Sequence, residues 1–202
     1  RDIGFDPAAA KTIGLQYITY TKEDYKRLPK RYADSHKGTY GHVLVIAGSK
    51  NMAGAAYFSA LAAYRMGAGL VTLYTPESNR CILQQLLPEA VLKTYPDTVP
   101  DLSALSDQLN NYQAIILGPG LGQNAASENI VRTVTASDIK IPLIIDADGL
   151  NILSKNMEWL SKSTVPTVIT PHMKELSRLT GHNIQYLKGN LVQVCETFTR
   201  EY

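Results

Sequence analysis

Five apolar runs, almost free of polar residues, occur along the chain at 43–47, 70–74, 114–117, 143–145 and 167–170. A strand with one face in water alternates apolar and polar side chains. An unbroken run of aliphatic and β-branched residues therefore predicts a strand covered on both faces. Segments long enough for helices lie between the runs, at 53–66, 102–109, 125–136 and 150–160. This alternation predicts an α/β fold: a doubly wound, mainly parallel sheet with helices on both faces. Right-handed crossovers then bring the C-terminal ends of the strands, with their loops, to one edge.

The 202 residues suffice for one such domain, with a core that needs neither disulfides nor a structural metal. Cys81 and Cys195 stand far apart, without metal-ligand spacing, and read as inert helix residues in a reducing cytoplasm. A net charge of +2 gives no electrostatic case for nucleic acid or an anionic membrane. The basic stretch 22–37 reads as a solvated helix and loop, with a phosphate-attracting rim as the alternative. No apolar stretch is long enough for a membrane span, and no signal peptide is legible. Residues 1–36 are polar and read as an entry arm with one short helix, ahead of a domain over 37–202. A chain opening on Arg1 reads as an excised piece. The segment 190–202 reads as a helix with no strand after it, so the sheet is expected to be incomplete at its C-terminal end.

Four segments at the predicted functional edge could carry chemistry. Residues 48–56, GSKNMAGAA, follow a strand and open an Ala-rich helix, which suits either an anion-binding loop or close packing. Residues 118–122, GPGLG, hold three glycines in five positions. That density exposes backbone amides to a ligand and is seldom needed for a plain turn. Gly67 and Gly69 read as helix termination. In 146–151, DADGLN, Asp146 reads as functional, orienting a ligand or holding Mg²⁺ through water, whereas Asp148 fits an N-cap. In 170–179, TPHMKELSRL, His172 follows Pro171 at the same edge. Glu175 would act through metal-bound water or complement the helix dipole. His36, His42 and His182 read as loop or strand-start residues without a role in the chemistry.

In this order and spacing, KGTYGHVLVIA (37–47), GSKNMAGAA, GPGLG, IIDADGLN and TPHMKE resemble the NAD(P)H-hydrate dehydratase family of the ribokinase-like superfamily. RDIGFD (1–6) is similar to the end of the NAD(P)H-hydrate epimerase domain that bacteria often fuse in front of it, which implies a bifunctional parent. The resemblance implies repair of hydrated NADH or NADPH. ADP or ATP, with Mg²⁺, phosphorylates the ring hydroxyl, and loss of phosphate restores the dinucleotide. It implies substrate contacts at Ala55, Gly122 and His172, and crevice-lining positions at Gly120, Asp146, Asn151 and Glu175. It also implies a homo-oligomer.

Two departures qualify it. Lys174 stands where the family usually has glycine between His and Glu. The family's GxGD segment, with its catalytic aspartate, has no counterpart, so no residue is nominated as base and the 202 residues are expected not to turn over. Lys188–Gly189 falls ahead of the expected terminal helix and is not the family's Lys-Gly strand. Two other readings stay open: a ribokinase-like kinase of a vitamin precursor, and a non-catalytic nucleotide-binding module.

Overall fold

The computed structural model describes residues 19–161 and 165–202. RDIGFD therefore lies outside the described residues. The chain divides into two compact units, Arg1–Ser35 and His36–Tyr202. In the first, a short 3-10 helix spans Lys22–Arg27, with Asp24 accepting the Thr21 amide at its start.

The second unit is built on six parallel strands: β1 (His42–Ile46), β2 (Leu70–Pro76), β3 (Val91–Tyr95), β4 (Ala114–Leu117), β5 (Leu143–Ile145) and β6 (Thr167–Ile169). Their spatial order is β3-β2-β1-β4-β5-β6. The chain first winds outward from β1 to β3, then crosses back to β4 and winds the other way. The switch point therefore falls between β1 and β4, where ligands of doubly wound folds bind.

Among its described residues are seven α-helices: α1 (Ala53–Arg65), α2 (Arg80–Leu86), α3 (Leu102–Ser106), α4 (Ala125–Ala136), α5 (Asp148–Leu153), α6 (Met173–Thr180) and α7 (Ile184–Glu201). Alternate strand residues feed two cores, one on each face. Leu44, Ile46, Ile115, Leu117, Leu143 and Ile145 pack with helices α3, α4 and α5. Val45, Ala47, Val71 and Leu73 pack with α1 and α2, where Ala56 and Ala60 are completely buried. Burial at both faces is the reason β1, β2, β4 and β5 read as unbroken apolar runs. Strand β6 reads the same way but is an edge strand with Val168 exposed, so the expectation of two covered faces fails there. A smaller cluster of Leu176, Leu187 and Val194 joins α6 to α7.

Several expectations are corrected. Strand β3 and helix α2 were not foreseen. Edge strand β3, sequence VLKTY, is exposed at Val91 and Lys93 and buried only at Tyr95, so it lacks the doubly buried signature. The helix expected over 102–109 ends at Ser106, with a 3-10 turn at Leu109–Asn111. That expected over 150–160 begins at Asp148 and ends at Leu153, followed by a 3-10 turn at Met157–Trp159. The terminal helix starts at Ile184 rather than 190, capped by Asn183, and kinks at Asn190. Lys188 and Gly189 thus lie inside it. Gly67 does follow α1 with positive φ, but Gly69 answers to a close approach: a Cβ there would sit 1.6 Å from the Lys37 carbonyl oxygen.

Candidate functional site

The loops after β1, β4, β5 and β6 meet at one edge and are tied to one another in sequence. The Gly48 amide donates to the Pro119 carbonyl at 2.9 Å, joining GSKN to GPGLG across the switch point. The Gly122 amide donates to Asp148 Oδ2 at 2.9 Å, and Gln123 Nε2 donates to Asp148 Oδ1 at 3.2 Å, joining GPGLG to DADGLN. Thr170 Oγ1 donates to Asp146 Oδ1 at 2.8 Å, joining DADGLN to TPH.

Asp148 therefore does not cap α5, as its sequence context suggested. The N-cap position is Ala147, which has no side-chain cap and adopts φ 50°, ψ −116°. A non-glycine residue at positive φ is strained, and here it turns the carboxylates on either side of it to different partners. Asp148 takes the β4 loop, Asp146 takes Thr170. The clamp was missed because its acceptor role depends on an amide 26 residues away, which no local pattern encodes.

The glycines are where backbone approaches backbone. At Gly118 (φ 116°) a Cβ would lie 2.2 Å from the Asp146 carbonyl oxygen and 2.5 Å from the Gly149 amide nitrogen. At Gly120 (φ 61°) it would lie 2.6 Å from Ala55 Cβ. That last contact puts two of the expected residues, Ala55 and Gly120, side by side. Gly122 adjoins them: a Cβ on it would lie 3.7 Å from Ser49 Oγ. Gly120 is buried, whereas Ala55, Gly122 and Asp146 are half-buried.

His172 is the N-cap of α6. Its Nδ1 accepts the Lys174 amide at 3.1 Å and the Glu175 amide at 3.3 Å. The ring proton is thereby placed on Nε2, which faces Glu175 Oε1 at 3.2 Å. Glu175 Oε2 accepts the His172 amide at 2.9 Å, closing a capping box. Glu175 is buried beneath the loop, so it supports the exposed His172 rather than lining the crevice. Asn151 is likewise a support. It accepts from Arg178 Nη1 at 2.5 Å and donates to Asp148 Oδ1 at 3.4 Å.

Two residues outside the expected set sit under the first loop. Thr75, near the end of β2, and Asn79, in the 3-10 turn after it, are 0% and 1% exposed, and Asn79 Nδ2 donates to Thr75 Oγ1 at 2.9 Å. A polar pair buried at a strand's C-terminal end is the available signal, in TPESN, but burial is not legible from five residues. Among the described residues no group of three His, Cys, Asp or Glu side chains could hold a metal ion. Asp146 and Asp148 already spend carboxylate oxygens on Thr170, Gly122 and Gln123. Mg²⁺ usually keeps waters and takes one or two carboxylates plus substrate phosphates. The arrangement fits an ion that arrives with a phosphate, not a resident one.

A cavity of about 350 Å³ between the end of α6 and α7, lined by His182, Tyr186, Phe198 and Tyr202 among others, includes no residue of the four loops. No helix among the described residues is long and apolar enough to cross a membrane.

Comparison with known proteins agrees with this layout. A family model described as NAD(P)H-hydrate dehydratase matches residues 43–202. A bifunctional NAD(P)H-hydrate repair enzyme of Moorella thermoacetica is 32% identical over 182 residues, covering 87% of this chain and 34% of that protein. A ribokinase-like superfamily protein of Enterococcus faecalis superposes with a TM-score of 0.71 at 29% identity, over 82% of this chain and 57% of that one. An ADP/ATP-dependent NAD(P)H-hydrate dehydratase of Bacillus subtilis, co-crystallised with ATP/Mg²⁺, gives a TM-score of 0.67 at 34% identity, over 86% and 59%. The chain thus spans about a third of the bifunctional relative and under three-fifths of the two solved chains. The ribokinase-like α/β fold expected from the motifs is the fold observed.

Proposed function

The chain belongs to the NAD(P)H-hydrate dehydratase family, and from that membership we propose that its four-loop crevice receives hydrated NADH or NADPH for nucleotide-dependent repair. The observation that carries the reading is the joining of Ala55, Gly120 and Gly122 at the switch point, with His172 on the neighbouring loop tied in through Thr170 and Asp146. Small residues and positive-φ glycines let a planar, phosphate-bearing ligand lie against backbone. Ala55 and Gly122 would form the floor under the dinucleotide. His172 would offer its exposed ring at the rim. Asp146 would line the wall, and Gly120 would leave room for Ala55.

ADP or ATP would supply the phosphoryl group, and Mg²⁺ bound with it would neutralise phosphate charge. The contribution of this chain is positioning: amides and fixed loops hold the hydroxylated ring while the group is transferred and phosphate leaves. The family's GxGD aspartate has no counterpart in these residues, so binding without turnover is the expected behaviour of the 202-residue chain. We place the protein in the cytoplasm, as a homo-oligomer. The exposed Phe58 and Met66 on and just after α1 support an interface.

The test is a titration of hydrated NADH into the chain, followed by a coupled assay with ADP or ATP and Mg²⁺. Saturable binding that His172→Ala weakens is expected, with no NADH produced. No binding would sink the crevice assignment, and NADH formation would sink the expectation of inactivity. With a vitamin-precursor alcohol supplied in place of hydrated NADH, accumulation of its phosphate ester would favour the kinase reading.

A further inference from the structure

Beneath the first loop lies a polar pair that the crevice itself does not use. Thr75 and Asn79 are buried beside Ala56 of α1, on a face otherwise filled by aliphatic side chains. Burying an amide and a hydroxyl in such surroundings is unfavourable unless their hydrogen bonds are made. Asn79 Nδ2 makes two, to Thr75 Oγ1 at 2.9 Å and to the Ser49 carbonyl at 3.3 Å.

The second of these reaches a critical oxygen. The Ser49 carbonyl also accepts the Met52 amide at 2.8 Å, closing a turn over Ser49, Lys50, Asn51 and Met52. Within that turn Asn51 holds φ 71°, a conformation non-glycine residues adopt reluctantly. Immediately after it α1 begins, and Met52 O accepts the Ala55 amide at 3.3 Å. Ala55 Cβ then sets how closely Gly120 approaches. Gly48 completes the arrangement: a Cβ at this residue (φ 82°) would sit 3.0 Å from both Asn79 Nδ2 and Thr75 Oγ1. Glycine is required there by the backbone and by the polar pair together.

We infer that Asn79, braced by Thr75, is a positioning residue that fixes the 49–52 turn and so the height of Ala55 in the crevice. It touches no ligand. It acts from the 3-10 turn Glu77–Asn79 that follows β2, outside the four loops of the crevice. The inference rests on the crevice reading for its functional consequence, but its structural half stands alone.

The test uses Asn79→Ala, the isosteric Thr75→Val and the conservative Thr75→Ser. Amide hydrogen exchange at Met52 and Ala55, the bonded amides of the turn and of the start of α1, is measured alongside affinity for hydrated NADH and the thermal midpoint. Expected are at least tenfold faster exchange and about tenfold weaker binding in Asn79→Ala. A smaller effect of the same kind is expected in Thr75→Val, and wild-type behaviour in Thr75→Ser. A generally destabilised core would instead lower the midpoint and speed exchange across all strands. Unchanged exchange in the turn for both Asn79→Ala and Thr75→Val overturns the inference. Should Asn79→Ala not fold, Thr75→Val against Thr75→Ser decides it in the same way. If exchange accelerates as expected but the wild-type chain fails to bind hydrated NADH, the positioning role stands and the crevice assignment is what fails.

Discussion

At the scale of single residues, the site depends on a few atoms whose partners are distant in sequence. Asp148 is the clearest: one carboxylate holds an amide and a side chain of another loop. Asp148→Ala leaves the Gly122 amide without its acceptor, so we expect a loss of about 1–2 kcal/mol by urea denaturation. Weakened binding of hydrated NADH should accompany it. Gly118→Ala is a harsher change, because φ 116° and a 2.2 Å collision with the Asp146 carbonyl oxygen act together. A loss of about 3 kcal/mol or more is expected, read from the same denaturation curves. What sequence reasoning missed at this scale shares one cause. Glycine density and strand-end position mark Gly120, Gly122 and Asp146, but no local signal tells whether an aspartate will cap its own helix or reach across to another loop. Asp148 and Asn79 both act across the fold, and both were invisible until the loops were brought together.

At the scale of elements, caps and strand positions decide what can be tested. His172 closes the first turn of α6 through its Nδ1, so His172→Ala should cost about 1 kcal/mol of stability besides any effect on ligand. A urea midpoint equal to wild type would show that the cap contributes nothing. Strand β1 carries a pH-sensitive group at its start. His42 is drawn partly out of water, and Lys93 lies near it, so its pKa falls below the ordinary 6.5. Its ring faces Thr72 Oγ1 at 2.8 Å and meets Tyr112 edge-on at 4.7 Å. With the folded pKa depressed, the unfolded chain binds more protons as pH drops through 6.5. Stability should therefore decline below that pH, down to the folded pKa, and His42→Gln should flatten the slope in that window. Element prediction from the sequence follows burial. Strands β4 and β5 and helix α4 have the limits expected of them, because buried runs and a clear amphipathic period mark them. Edge strand β3, half in water, does not announce itself in the same way, and short α2 lacks the length for a period to show.

At the scale of the whole molecule, two windings of the sheet part company between β1 and β4, and the crevice occupies that divide. Each face of the sheet has its own core, with α1 and α2 on one side and helices α3, α4 and α5 on the other, and β1 feeds both. The two halves are held in register at the ligand edge by the Gly48–Pro119 bond, which involves main chain alone. No replacement can delete its acceptor, and only proline at position 48 can delete its donor. An alanine survey of the site would therefore remove neither group of the bond. Its integrity is readable in another way: the Gly48 amide hydrogen is a clock on the divide, exchanging with solvent when the loops after β1 and β4 part.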